Sequence, residues 1–128
     1  MEILLLVGRI IFGGYFIMGG FNHFANLEMM SGYAKSENDP APGLAVAGTG
    51  AMLIAGGLSV VLGVWPVVGL LVLILFLVPT SLMMHNFWTI EDPMQRMGEQ
   101  VNLLKNTGLV GASLALMYGA ANWPLSLF

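Results

Sequence analysis

Cysteine is absent from the 128-residue chain, and charge is scarce. The lack of thiols excludes disulfides, thiol redox relays, thiolate-held iron–sulfur clusters and Cys-type zinc sites. Any electrons handled here must therefore travel on a bound molecule. Charged residues make up 9% of the chain, against roughly 25% in an ordinary soluble domain. Four Lys/Arg and seven Asp/Glu cannot clothe a soluble globule of this size, and the few basic residues are too scattered for a nucleic-acid footprint. There are only two histidines and no intramembrane carboxylate to join them, which argues against a metal site.

What the chain has instead is apolar sequence. Hydrophobic residues reach 57% and the mean hydropathy is +0.83. A helix needs about 20 apolar residues to cross a bilayer. Four runs meet that length, over 3–24, 44–64, 67–88 and 101–121. The first run follows Glu2 rather than a basic leader, is long for a signal peptide and precedes no small-residue cleavage site, so it is read as a span. The expected fold is all-α: one domain, an integral membrane four-helix bundle threaded up-down-up-down. Between the first two runs lies a polar, turn-rich linker from Glu28 to Gly43. Val64-Trp65-Pro66 forms a tight hairpin, and Glu91-Asp92-Pro93 marks a turn before the last run.

Small residues recur every fourth position along the second run, at Gly43, Ala47, Ala51, Ala55, Ser59 and Gly63. Such a stripe lets a neighbouring backbone approach, within the bundle or between copies of the chain. Gly108 with Ala112, and Gly111 with Ala115, repeat the spacing in the last run. Trp65 and Trp123 sit at span ends, where indoles anchor to headgroups.

Up-down-up-down threading gathers Asn22, His23, His85, Asn86, Trp88, Asn102, Lys105 and Asn106 in one leaflet. Asn102, Lys105 and Asn106 share one face by their i, i+3, i+4 spacing. Polar groups within spans usually face the protein interior. The candidate ligand-binding cluster is therefore His23, His85, Asn86, Trp88, Asn102, Lys105 and Asn106. A snorkelling Lys105 and hydrogen-bonding asparagines that merely lock helices together are the bland alternatives. Arg9 belongs to the opposite leaflet, where it either snorkels to a lipid phosphate or serves the interior. Lys35, Arg96 and Lys105 against Arg9 places the loops in the cytoplasm by the positive-inside rule.

Arg9, Gly20 with His23, Val61-Leu62-Gly63, His85-Asn86-Phe87-Trp88, and Asn102 with Lys105-Asn106 resemble the DoxX family over nearly the whole chain. The resemblance implies a small four-helix protein of a prokaryotic cytoplasmic membrane. Its DoxD-type relatives form the membrane subunit of thiosulfate:quinone oxidoreductase, and other members associate with redox-stress or detoxification complexes. Relatives often have lysine where this chain has His23. They often carry a carboxylate where this chain reads Met52-Leu53-Ile54-Ala55.

Three functions fit these residues. A quinone-interacting subunit would use the polar cluster to meet the quinone carbonyls, with Phe87 or Trp88 stacked on the ring and a redox partner protein supplying electrons. A structural, assembly or lipid-binding subunit would use the same cluster as a lock, alone or in a homo- or hetero-oligomer. A b-type haem carrier would use His23 and His85 as axial ligands.

Overall fold

The computed structural model describes residues 1–36, 42–84 and 87–126. It is helical, with no strand among the described residues. The long helices are α1 (Glu2–Ala25), α3 (Pro42–Leu62), α4 (Pro66–Met84) and α5 (Pro93–Met117). A shorter helix, α2 (Leu27–Ser36), follows α1, and single 3-10 turns lie at Phe87–Thr89 and Ala120–Asn122. The linker expected to be turns thus contains a ten-residue helix. Its Leu, Met, Ala and Lys residues favour a helix, and α2 gains further support by packing on α3.

The last helix also departs from expectation. It begins at Pro93, eight residues before the apolar run, because Asp92 caps it. The Asp92 carboxylate accepts from the Met94 N–H at 3.1 Å, and Pro93 suits a first-turn position. The helix ends at Met117. Gly119, with φ +69, then starts the turn that folds the tail back onto the bundle.

Helices α1, α3 and α4 are long and apolar enough to cross a membrane. The polar residues Asn102, Lys105 and Asn106 keep α5 outside that set. Each long helix packs on the next: α1 on α3, α3 on α4 and α4 on α5. The closest approach is between α1 and α3, which run antiparallel. Gly13 faces Gly57 and Gly20 faces Gly50, and a Cβ on any of the four would collide with the opposing helix. On the other side of α3, Gly56 meets Leu73 and Gly69 meets Ser59. The every-fourth stripe is not the main seam: Gly43, Ala51 and Ala55 are exposed. The seam is built by glycines seven apart, at 13 and 20 on one helix and at 50 and 57 on the other. In α5, Gly108 and Gly111 have open space where a Cβ would sit.

The core joins all the long helices and the tail. It centres on Phe16, Leu53, Val60, Leu70, Leu73 and Leu77, with Ala120 and Trp123 closing one end. Buried Ser81 and Ser113 satisfy their hydroxyls within their own helices, donating to Leu77 O at 2.6 Å and Leu109 O at 2.8 Å. In contrast, α1 and α5 do not close on each other, which leaves a cleft along one side of the bundle.

Candidate functional site

The cleft between α1 and α5 has a volume of about 320 Å³. Leu53 of α3 lies at its back, and Phe16, Phe76 and Leu77 form its apolar wall. Its polar groups come from three helices: Tyr15, Asn22 and His23 from α1, Thr80 from α4, and Lys105 with Asn106 from α5. The structure therefore unites four residues that the sequence places in one leaflet, Asn22 and the candidate-cluster members His23, Lys105 and Asn106. It adds Tyr15 and Thr80, which the apolar runs had concealed.

His23 is half-buried and held firmly. Its Nδ1–H donates to Gly19 O at 2.8 Å, since a carbonyl can only accept. Its ring meets Phe76 edge-on, with centroids 5.9 Å apart. Gly50 leaves room for it, because a Cβ there would lie 2.9 Å from the His23 Cβ. With Nδ1 fixed as the donor, neutral His23 keeps Nε2 as a lone-pair acceptor.

Lys105 sits deeper than its place in the apolar run implied. It is twelve residues into α5 from Pro93, about 18 Å at 1.5 Å per residue. Its Nζ lies 5.9 Å from the centre of the Tyr15 ring, halfway along α1. The negative face of the Tyr15 ring is a favourable neighbour for the ammonium. Asn106 is 6% exposed and lines the cleft, and no buried polar atom among the described residues lacks a partner.

The other expected residues lie elsewhere. Asn102 is half-buried one turn before Asn106 and does not line the cleft. Trp88 is 52% exposed and packs edge-on against Phe87, 5.6 Å away. His85 and Asn86 lie outside the described residues, and with them the expected pairing of His23 and His85 about a haem. Among the described residues no His/Asp/Glu group is placed to hold a metal.

Arg9 forms a second, separate centre. It neither snorkels nor meets solvent: its exposure is 0%. Its Nε donates to Val60 O at 3.1 Å and its Nη2 to Val61 O at 3.0 Å, which engages carbonyls that the C-terminus of α3 leaves free. Its Nη1 donates to Pro124 O at 2.8 Å, and Leu125 O lies 3.5 Å from Nη2. The guanidinium also stacks 5.0 Å from the Trp123 ring centre. Trp123 is thus a buried partner of Arg9, 8% exposed, rather than the expected headgroup anchor, whereas Trp65 is 76% exposed. Gly63, with φ +73, completes the unit, since a Cβ there would strike Ser126 and approach Arg9 Nη2 at 2.9 Å. The clasp ties the tail to α1 and α3, and it closes the molecule at the end away from the cleft's histidine.

The family model DoxX matches residues 4–86. That stretch contains Arg9, Gly13, Gly20, His23, Gly50, Gly57 and Gly63, so both the glycine seam and α3's part of the clasp lie within it, whereas Trp88, Asn102, Lys105 and Asn106 lie beyond it. No curated protein and no solved structure matches the chain. By that match over most of its length, the chain belongs to the DoxX family and is an integral, multi-pass membrane protein in contact with the lipid bilayer.

Proposed function

We propose that this chain is the quinone-interacting subunit of a membrane-associated redox complex, with the quinone head group held in the cleft between α1 and α5. One observation carries the reading: the cleft combines apolar and aromatic walls with a cationic donor, an amide and a free imidazole acceptor, His23 Nε2. A quinone ring needs such walls, and its oxygens need such partners. Lys105 and Asn106 donate to a carbonyl oxygen, and His23 Nε2 accepts from a quinol hydroxyl. The gap between α1 and α5 gives an isoprenoid tail a lateral way to lipid. In this reading α5 is the fourth span, all four long helices cross the membrane, and the chain is one domain. Electrons come from a redox partner protein, because the chain has no cysteine to relay them. Any homo- or hetero-oligomer contact belongs to the same complex.

The assembly-subunit reading draws its support from the other end of the molecule. There, Arg9 spends its donors on backbone carbonyls and has a purely architectural task.

The test is a dithionite-reduced minus oxidised spectrum of protein purified in mild detergent from its native membrane. The expected result is a quinone-to-quinol change in the ultraviolet at near-stoichiometric amount, lost in a folded His23→Ala variant. A featureless spectrum contradicts the proposal and leaves the assembly role. A visible haem band contradicts it in favour of axial ligation by His23 and His85.

A further inference from the structure

We infer that the cleft selects a head group carrying a negatively charged oxygen, an acidic hydroxyquinone rather than a neutral quinone, and that Lys105 is the residue that sets this preference. The inference rests on the quinone reading and adds the charge of the ligand to it.

Lys105 is exposed to the cleft and makes no ion pair among the described residues. Its Nζ is level with Tyr15, the fourteenth of the 24 residues of α1. The lysine stem spans little more than one helical turn, which is too short to carry the ammonium from this level to either end of α1. The Tyr15 ring offers a negative face but no net charge.

Nor does the chain pair a carboxylate with Lys105 among the described residues. Its acidic residues are Glu2, Glu28, Glu37, Asp39, Glu91, Asp92 and Glu99. Glu2 starts α1, Glu28 lies in α2, Glu91 and Asp92 precede α5, and Glu37 and Asp39 lie outside the described residues. Glu99 stands six residues before Lys105 on α5, nearly two turns away towards the loop end. A unit positive charge in a low-dielectric cleft, facing aromatic and aliphatic walls, strongly favours an anionic occupant over a neutral one of the same shape.

The rest of the cleft fixes what carries that charge. Phe16, Phe76 and Leu77 suit a flat apolar ring, and the 320 Å³ volume suits a head group of one or two fused rings. Asn106 stands beside Lys105 with a neutral donor, so two donors of unequal charge face the ring together. A ring with an ionised hydroxyl next to a carbonyl matches that pair: the ionised oxygen on Lys105 and the carbonyl on Asn106. His23 lies two turns further along α1 than Tyr15 and meets the far edge of the ring.

The experiment uses the full chain in neutral-detergent micelles and two probes of nearly equal shape. One is 2-hydroxy-1,4-naphthoquinone, ionised at neutral pH; the other is its neutral ether, 2-methoxy-1,4-naphthoquinone. Affinities are measured by calorimetric titration for wild type, Lys105→Gln and Lys105→Arg. The expected preference of wild type for the hydroxy probe is about tenfold or more, the scale of a single desolvated charge pair. Lys105→Arg keeps the preference, and Lys105→Gln removes it. Equal affinities in wild type overturn the charge selection and leave the quinone reading standing. A preference that survives in Lys105→Gln overturns the role of Lys105. Failure of both probes to bind overturns both readings. The wild-type comparison decides the main point even if a variant does not fold.

Discussion

Arg9 satisfies a buried positive charge without a carboxylate, through carbonyls from α3 and the C-terminal tail and the face of Trp123. Removing the guanidinium strands those buried and part-buried carbonyls. Arg9→Met should therefore lower stability by about 1–3 kcal/mol for each buried carbonyl left without a donor. The measurement is thermal unfolding in detergent, which should show a markedly lower midpoint. Arg9→Lys should recover only part of the loss, because an ammonium cannot reproduce the planar fork that reaches two chain segments at once. Gly63→Ala should destabilise the same unit, since its left-handed φ and the crowding by Ser126 both oppose a side chain. None of this was legible in the sequence. Arg9 stood out as a charge within an apolar run, but its partners are backbone oxygens 51 to 116 residues away, and no side-chain pattern advertises a carbonyl. His23 and Lys105 were legible because ionisable side chains are rare in spans, whereas Tyr15 and Thr80 passed as ordinary members of apolar helices.

The α1–α3 seam shows what local spacing can and cannot reveal. Glycines seven apart on both helices allow backbone contact at two levels, and each is filled by the opposing chain. Gly57→Ala should cost about 1–3 kcal/mol by overpacking, read as a lowered unfolding midpoint. Gly14→Ala, with open space where its Cβ would sit, should leave the midpoint unchanged or slightly raised. The long apolar helices were plain from run length alone. The seam was not, because a four-residue repeat of small residues competes with the seven-residue repeat in the same helix, and only the partner helix decides which one is buried. Helix α2 was hidden by the turn-like residues around it. The early start of α5 was hidden because its cap, Asp92 with Pro93, also reads as a turn.

At the scale of the whole molecule, burial of Arg9 sharpens the charge asymmetry. Lys35 and Arg96, both exposed, lie at the end where α1 and α4 finish, together with the start of α5. The other end presents no exposed Lys or Arg among the described residues. The prediction from the positive-inside rule is a cytoplasmic loop end. Because the chain has no native cysteine, single-cysteine labelling can check this directly. In intact cells an impermeant maleimide should modify Glu2→Cys, and it should reach Gln95→Cys only after permeabilisation. The same architecture defines the cleft: the clasp secures the tail at one end, and α1 and α5 stay apart towards the other. The claim that this cleft is the quinone site is tested most directly by photolabelling native membranes with an azidoquinone and mapping the modified peptides. Labels confined to the Tyr15–His23 stretch of α1 and the Lys105–Asn106 stretch of α5, displaced by excess quinone, are the predicted result. Labels elsewhere, such as along the outer face of the α3–α4 hairpin beside Trp65, or labels that excess quinone does not displace, would contradict it.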